Sequence, residues 1–344
     1  MMSQDPGQNM AAPRKPESRM ATPAPGSAAP GSADAGSPGT RGNPGAAGAS
    51  GAGMGDPLVR LVDVHKSFGR QRVLMGVNLD IRRGACTVIL GPSGVGKSVL
   101  IKLIVRLMRP DRGEIYFDGR RIDNLREKEL VAVRNKVGFL FQMSALFDSM
   151  SVAQNICFPL VQHTDLSEAQ RGERCAAVLR MVGLDGVQAK MPAELSGGQR
   201  KRVALARAIV LEPKLILYDE PTTGLDPIRS DVINELILAL HRHLHNTSIV
   251  VTHDIASAFK VADRLVMLNE GKIMADGDPR SFRQSSNEMV QRFIHGMADE
   301  EDLNRIREGL SEGSAAGSRD EKEKVHEAGG PGLDPDRGPS RSQS

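Results

Sequence analysis

Residues 86–98 read Cys86-Thr87-Val88-Ile89-Leu90 and then Gly91-Pro92-Ser93-Gly94-Val95-Gly96-Lys97-Ser98, with a helical pattern continuing from Ser98 to Met108. The first five residues form a mostly apolar run, as expected of a strand buried on both faces. The next eight match G-x-x-x-x-G-K-S at every fixed position. Glycines at these positions let backbone N–H groups close around phosphate oxygens. The helix that follows aims its positive end at the same point. In such a loop Lys97 reaches the β- and γ-phosphates of a nucleotide, and the Ser98 hydroxyl ligates Mg²⁺. A strand–loop–helix unit of this kind implies an α/β fold and a nucleotide site.

Upstream of this unit, short alternating strands are predicted at Val59–Val64 and Val73–Leu79, broken at Phe68-Gly69 and Arg83-Gly84. Downstream, a strand pair surrounds the Asp118-Gly119 turn. Residues 151–190 read as mainly helical, with Ser167-Glu168-Ala169-Gln170 fitting a capping box. Three apolar strands follow, Leu215–Tyr218, Ser248–Thr252 and Arg264–Leu268, with helices between them. Strands that alternate with helices imply a parallel, helix-flanked sheet. The expected architecture is therefore a parallel-sheet core with an antiparallel β-subdomain and a helical subdomain at about 145–195, all within residues 57–298. No internal repeat is visible, so the chain carries one such unit. Residues 1–56, dominated by Gly, Ala, Pro and Ser, and residues 299–344, polar and charged, are expected to be disordered tails. Only "DEEDLNRIREGL" in the second tail has the pattern of a short helix.

Composition narrows the function classes. Of 344 residues, 45 are Lys or Arg and 42 Asp or Glu, a net charge of +3 that provides no broad basic field for nucleic acid. Aromatics are 3% with no Trp, which argues against base-stacking platforms. Cys86, Cys157 and Cys175 stand far apart, a pattern expected of free thiols in a reducing compartment. No stretch reaches the roughly 18 apolar residues of a membrane span, and residues 1–56 have no apolar signal region. A cytoplasmic location is expected.

Two further motifs carry chemistry. "LILYDE" ends an apolar strand in Asp219, suited to hold Mg²⁺ through water, and Glu220, suited to polarise an attacking water. In Leu195-Ser196-Gly197-Gly198-Gln199, Ser196 is placed to N-cap a helix that opens with two glycines. The exposed amides there make a second anion site, which one ATP bound to one chain does not need.

With these motifs in this order, residues 57–298 resemble the ABC-type nucleotide-binding domain of the P-loop NTPases. The resemblance implies ATP as nucleotide and a head-to-tail homodimer, in which Ser196, Gly197, Gly198 and Gln199 of one copy meet the γ-phosphate held by the other. It further implies Gln142 as the glutamine that reaches Mg²⁺ and the attacking water, Asp226 of Gly224-Leu225-Asp226 as the D-loop acid, and His253 as the switch histidine. Phe68 takes the place of the aromatic that stacks on adenine. At position 99 many such loops carry a second hydroxyl, and Val99 offers only its backbone N–H to the α-phosphate.

The stretch "MSALFDSMSVAQNICFPLVQHTDLS", "KMPAELSGG" and the ending "MVQRFIHGMAD" are similar to the Mla/Mce-type ATPases of phospholipid or lipid transport. Many of those carry Met where this chain has Gln199. What the similarity implies is an ATPase bound to the inner face of the cell membrane through separate integral-membrane permease subunits, with an Mce-domain substrate-binding protein as a further partner. Phe141, Phe147 and Phe158 are candidates to line the permease-docking groove. Two alternatives stay open: an ABC transporter for another substrate, and a soluble non-transport ABC ATPase. The latter would want fused cassettes, a coiled coil or zinc-type cysteine sets, and the sequence has none of them.

Overall fold

In the computed structural model, which describes residues 56–298 and 303–308, every residue of the strand Cys86–Leu90 is buried. Its side chains alternate between two cores, with Cys86, Val88 and Leu90 in one and Ile89 in the other. In Leu215–Asp219 the division recurs: Ile216 and Tyr218 face one core, Leu215 and Leu217 the other. A strand covered on both faces gains nothing from alternating polarity, so both segments read as continuous apolar runs.

In chain order the elements are β1 (Val59–Phe68), β2 (Gln71–Ile81), β3 (Cys86–Leu90), α1 (Lys97–Ile104), β4 (Arg112–Phe117), β5 (Arg120–Arg121), α2 (Glu127–Arg134), β6 (Val137–Leu140), α3 (Val152–His163), α4 (Glu168–Met181), α5 (Gly197–Ile209), β7 (Leu215–Asp219), α6 (Pro227–Leu244), β8 (Thr247–Thr252), α7 (Ile255–Val261), β9 (Arg264–Asn269), β10 (Lys272–Gly277), α8 (Pro279–Arg283) and α9 (Glu288–His295). The core sheet has the order β10-β9-β3-β8-β7-β6. Its strands run parallel except β10, which pairs antiparallel at the edge. A second sheet, β2-β1-β4-β5, is antiparallel throughout. One core packs α1 and the antiparallel sheet against the first face of the core sheet. The other packs α3, α4, α5, α6 and α7 against the second face. This is the expected layout of parallel core, antiparallel β-subdomain and helical subdomain.

Three details differ from the sequence reading. β1 and β2 run longer than their alternating segments, because register shifts along β1, with Asp63 at φ 46°, reset the pleat and let pairing resume. α1 ends at Ile104 instead of Met108: Arg106 turns to φ 55° and its guanidinium donates to the Ile122 and Leu125 carbonyls, so the chain leaves the helix there. Two of the three cysteines are not free. Cys157 of α3 and Cys175 of α4 are joined as a disulfide, because the packing of these helices brings their Cα atoms to 6.0 Å; only Cys86 is a thiol. The expected tails, 1–56 and 299–344, lie outside the described residues apart from Asp56 and residues 303–308, which are helical. Among the described residues no helix is long and apolar enough to cross a membrane.

Candidate functional site

The loop from β3 to α1 borders a cavity of about 290 Å³ lined by Ser93, Gly94, Gly96, Lys97, Ser98, Val99, Gln142, Glu220 and His253. Two glycines shape this loop. Gly96 caps α1 at φ 107°, and a Cβ there would stand 2.8 Å from Val73 Cγ1. At Gly91 a Cβ would fall 2.1 Å from the Leu268 carbonyl oxygen. Neither position has room for a side chain. Pro92, Ser93 and Gly94 are left exposed, while Val95 and Val99 pack partly against the core beneath.

Lys97 is buried, and its ammonium donates to the Gly91 and Pro92 carbonyls at 2.8 and 2.9 Å, with Glu220 Oε1 at 3.7 Å. Burial pushes its pKa down, and the Glu220 charge opposes that shift. The next residue, Ser98, donates its hydroxyl to Asp219 Oδ1 at 2.6 Å. β7 ends on Asp219, whose carboxyl is pushed above the usual range chiefly by burial.

Glu220 follows with φ 49°, a backbone region sparsely used by residues other than glycine. Its amide donates to the Val251 carbonyl of β8 at 2.9 Å, which pins the turn. Oε2 lies 2.9 Å from His253 Nδ1 and accepts from the hydroxyls of Thr223 at 3.2 Å and Thr252 at 3.4 Å. Neither threonine is a candidate in the sequence analysis. The available signal was a hydroxyl next to each acid- or histidine-bearing strand end, in "DEPTT" and "VVTHD". Gln142 enters the cavity two residues past β6, with its side chain exposed.

The remaining candidates lie elsewhere. Phe68 is the last residue of β1, 47% exposed, with Lys66 Nζ 5.5 Å from its ring centre; it does not line the cavity. Ser196 caps α5, accepting from Gln199 N at 3.3 Å, while Gln199 Oε1 accepts from Ser196 N at 3.0 Å. The serine hydroxyl accepts within the cap, so its own proton is left to donate outward. A Cβ on Gly197 would meet Leu225 at 3.8 Å, and one on Gly198 would meet Arg229 at 3.9 Å. The glycine turn therefore sits against the Gly224–Asp226 loop. Asp226 caps α6 through Arg229 N at 2.9 Å. Two groups result: Lys97, Ser98, Gln142, Glu220 and His253 around one cavity, with Asp219 buried behind Ser98, and Ser196–Gln199 beside Asp226 outside it.

Residues 74–223 match the family described as ABC transporter. Over 246 residues the chain is 42% identical to the "Intermembrane phospholipid transport system ATP-binding protein MlaF" of Haemophilus influenzae, covering 72% of this chain and 93% of that protein. "Protein TRIGALACTOSYLDIACYLGLYCEROL 3, chloroplastic" of Arabidopsis thaliana is 41% identical over 261 residues, 71% of this chain and 75% of its own length. Among solved structures, the dimeric ATP-binding cassette MJ0796 in a post-hydrolysis state with ADP and Pi matches with a TM-score of 0.60 at 35% identity, covering 64% of this chain and 99% of that one. On sequence and fold alike, the chain belongs to the ABC transporter family, as one of its ATP-binding and ATP-hydrolysing cassettes.

Proposed function

We propose that this cassette energises the transport of phospholipid or a related lipid across the cell envelope, working as a homodimer beneath a separate permease. The hydrolytic step rests on one observation above the others: a buried carboxylate, Glu220, held by a histidine and two threonine hydroxyls at the mouth of a phosphate-binding loop. Held this way, Glu220 accepts a proton of the attacking water. His253 steadies the carboxylate from the solvent side and turns toward the γ-phosphate. Lys97 leaves the loop carbonyls for the β- and γ-oxygens.

Ser98 and Asp219 provide two hard oxygens at 2.6 Å. Among the described residues no set of three or more His, Cys, Asp or Glu forms a metal site. That donor set fits Mg²⁺, which keeps several waters and takes one or two protein oxygens together with substrate phosphates. Ser98 would hold it directly, Asp219 through water, with Gln142 facing the same cavity; bound there, it would supply positive charge to offset that of the phosphates. Phe68, exposed at the strand end, is offered to the adenine ring.

The Ser196–Gln199 turn lies outside its own chain's cavity, so its hydroxyl and amides are available to a γ-phosphate held by a second copy. The dimeric cassette of similar fold supports that pairing. On the helical side, Phe141, Phe147 and Phe158 border a cavity of about 390 Å³, with the Phe147 and Phe158 rings 5.1 Å apart. This groove suits a permease helix and would hold the cassette on the inner membrane face. The lipid substrate is supported by similarity to the phospholipid-transport protein; an Mce-domain protein is the third component that the resemblance of the sequence motifs implies.

Affinity capture of the tagged full chain from detergent-solubilised membranes of its own host tests the reading. An integral-membrane permease, an Mce-domain protein and co-extracted phospholipid are expected. Recovery of a membrane-free complex would instead favour a soluble role.

A further inference from the structure

Glu220 and Gln142 meet at one cavity although they follow different strands, and one side chain outside that cavity touches the backbone of both. Lys201 lies in α5, five residues beyond Ser196, and is only 6% exposed. Its ammonium donates to the Gln142 carbonyl at 3.2 Å and to the Glu220 carbonyl at 3.4 Å. These carbonyls belong to the chain just past β6 and just past β7, which are neighbours in the core sheet. An ammonium withdrawn from water is costly unless it is bonded. Burial pushes this one's pKa down, against the pull of the Glu220 charge. An apolar side chain of equal length would fill the same space at no such cost, so packing alone does not account for a lysine here.

What the ammonium fixes is a strained point. Glu220 holds a left-handed backbone, and such conformations persist only where the surroundings over-determine them. The Val251 carbonyl takes the Glu220 amide at 2.9 Å; the Glu220 carbonyl receives Thr223 N at 3.3 Å as well as Lys201. Gln142 is exposed just past β6; Lys201 ties its carbonyl to α5, and Arg207 of the same helix donates to the Ser144 carbonyl two residues on at 3.2 Å.

We propose that Lys201 is a positioning residue for hydrolysis: by bonding both carbonyls it sets Glu220 and Gln142 in register with each other and with the helix that carries Ser196. Because α5 begins at the turn offered to the opposite copy, the same ammonium ties the placement of the water-activating carboxylate to the engagement of that turn. The inference rests on the roles given above to Glu220 and Gln142.

Steady-state hydrolysis by the full-length protein, with ATP binding and unfolding midpoint measured on the same samples, tests it. Lys201→Met removes both bonds at similar bulk and is expected to lower kcat roughly tenfold or more, since small misplacements of reacting groups carry penalties of that order. KM for ATP and ATP binding should stay within about threefold, because the P-loop is untouched. Lys201→Gln, one bond shorter, reaches one carbonyl but not both and is expected to fall between the two, again with KM unchanged. A Met variant with wild-type kcat would overturn the proposal, as would equal losses in both variants that track a fallen midpoint. Should the Met variant not fold, the Gln variant decides alone: reduced kcat at constant KM supports the role, and wild-type kcat overturns it. Glu220→Gln, run beside them, separates the two levels. A normal Lys201→Met with an inactive Glu220→Gln removes only the role of Lys201, whereas hydrolysis by Glu220→Gln removes the assignment beneath it.

Discussion

Glu220 brings together two costs that a merely structural residue would avoid, a left-handed backbone and a buried carboxylate; His253, Thr223 and Thr252 converge on its Oε2, while Lys97 faces Oε1. Glu220→Gln keeps the shape and most of the hydrogen-bonding capacity but cannot take a proton from water. It should reduce phosphate release by roughly a hundredfold or more, while equilibrium ATP binding stays near the wild-type value. Hydrolysis at the normal rate would remove the assigned role. The acid pair was legible in the sequence because Asp219 and Glu220 are adjacent at the end of an apolar strand, where pattern and chemistry coincide. His253 was legible only through resemblance, since nothing in "VVTHD" states which acid the imidazole meets. Lys201 was not recognised at all. A lysine in "QRKRVALARAI" reads as a solvated face, yet with Ala204 and Leu205 it falls on the i, i+3, i+4 stripe that α5 buries. Periodicity contained that information, and charge masked it.

At the scale of elements, the turns that punctuate the sequence did better than the boundaries they imply. Asp118-Gly119 closes β4 and β5 with φ of 53° and 78°, as an Asp-Gly turn should. What no local pattern announces is that the Asp118 carboxylate also accepts from Arg83 at 2.5 Å and from Lys214 at 2.7 Å. Lys214 immediately precedes β7, so this one carboxylate clamps the antiparallel sheet to the core sheet. Lys214 first, and Arg83 with it, hold its pKa down to about 2. A folded-state pKa below the unfolded value adds stability that is full above the ordinary carboxylate range and is lost as pH falls toward about 2. Asp118→Asn tolerates the same turn and should cost about 1 kcal/mol near neutrality, the full shift being discounted for solvent at a partly exposed site. Urea midpoints of the two proteins should converge as pH falls from roughly 5 toward 2. A gap that kept its size across that range would show that the clamp does not act through charge. The α3–α4 disulfide escaped the sequence reading for a related reason: both helices were foreseen, but which residues they bring face to face depends on packing.

For the whole molecule, the order of motifs along the chain indicated an assembly rather than a self-contained enzyme, because a second anion site has no use within one subunit. The fold keeps the two apart: α1 carries Lys97 into the core beside the antiparallel sheet, while α5 presents Ser196 from the core on the opposite face. Complementation converts this geometry into a measurement. Lys97→Ala removes the cation assigned above to the phosphates, and Ser196→Arg blocks the turn at a cost of about 1 kcal/mol for the lost cap, which the unfolding midpoint would register separately. If each ATP lies between Lys97 of one copy and Ser196 of the other, a homodimer of either variant has two defective sites. A mixed dimer gathers both lesions into one site and leaves the other intact. Equal mixing makes about half of the dimers mixed, each with one working site of two, so about a quarter of the wild-type rate should return. Were each site complete within a single chain, every chain in the mixture would still carry a lesion, and the mixture would remain as inactive as its parents.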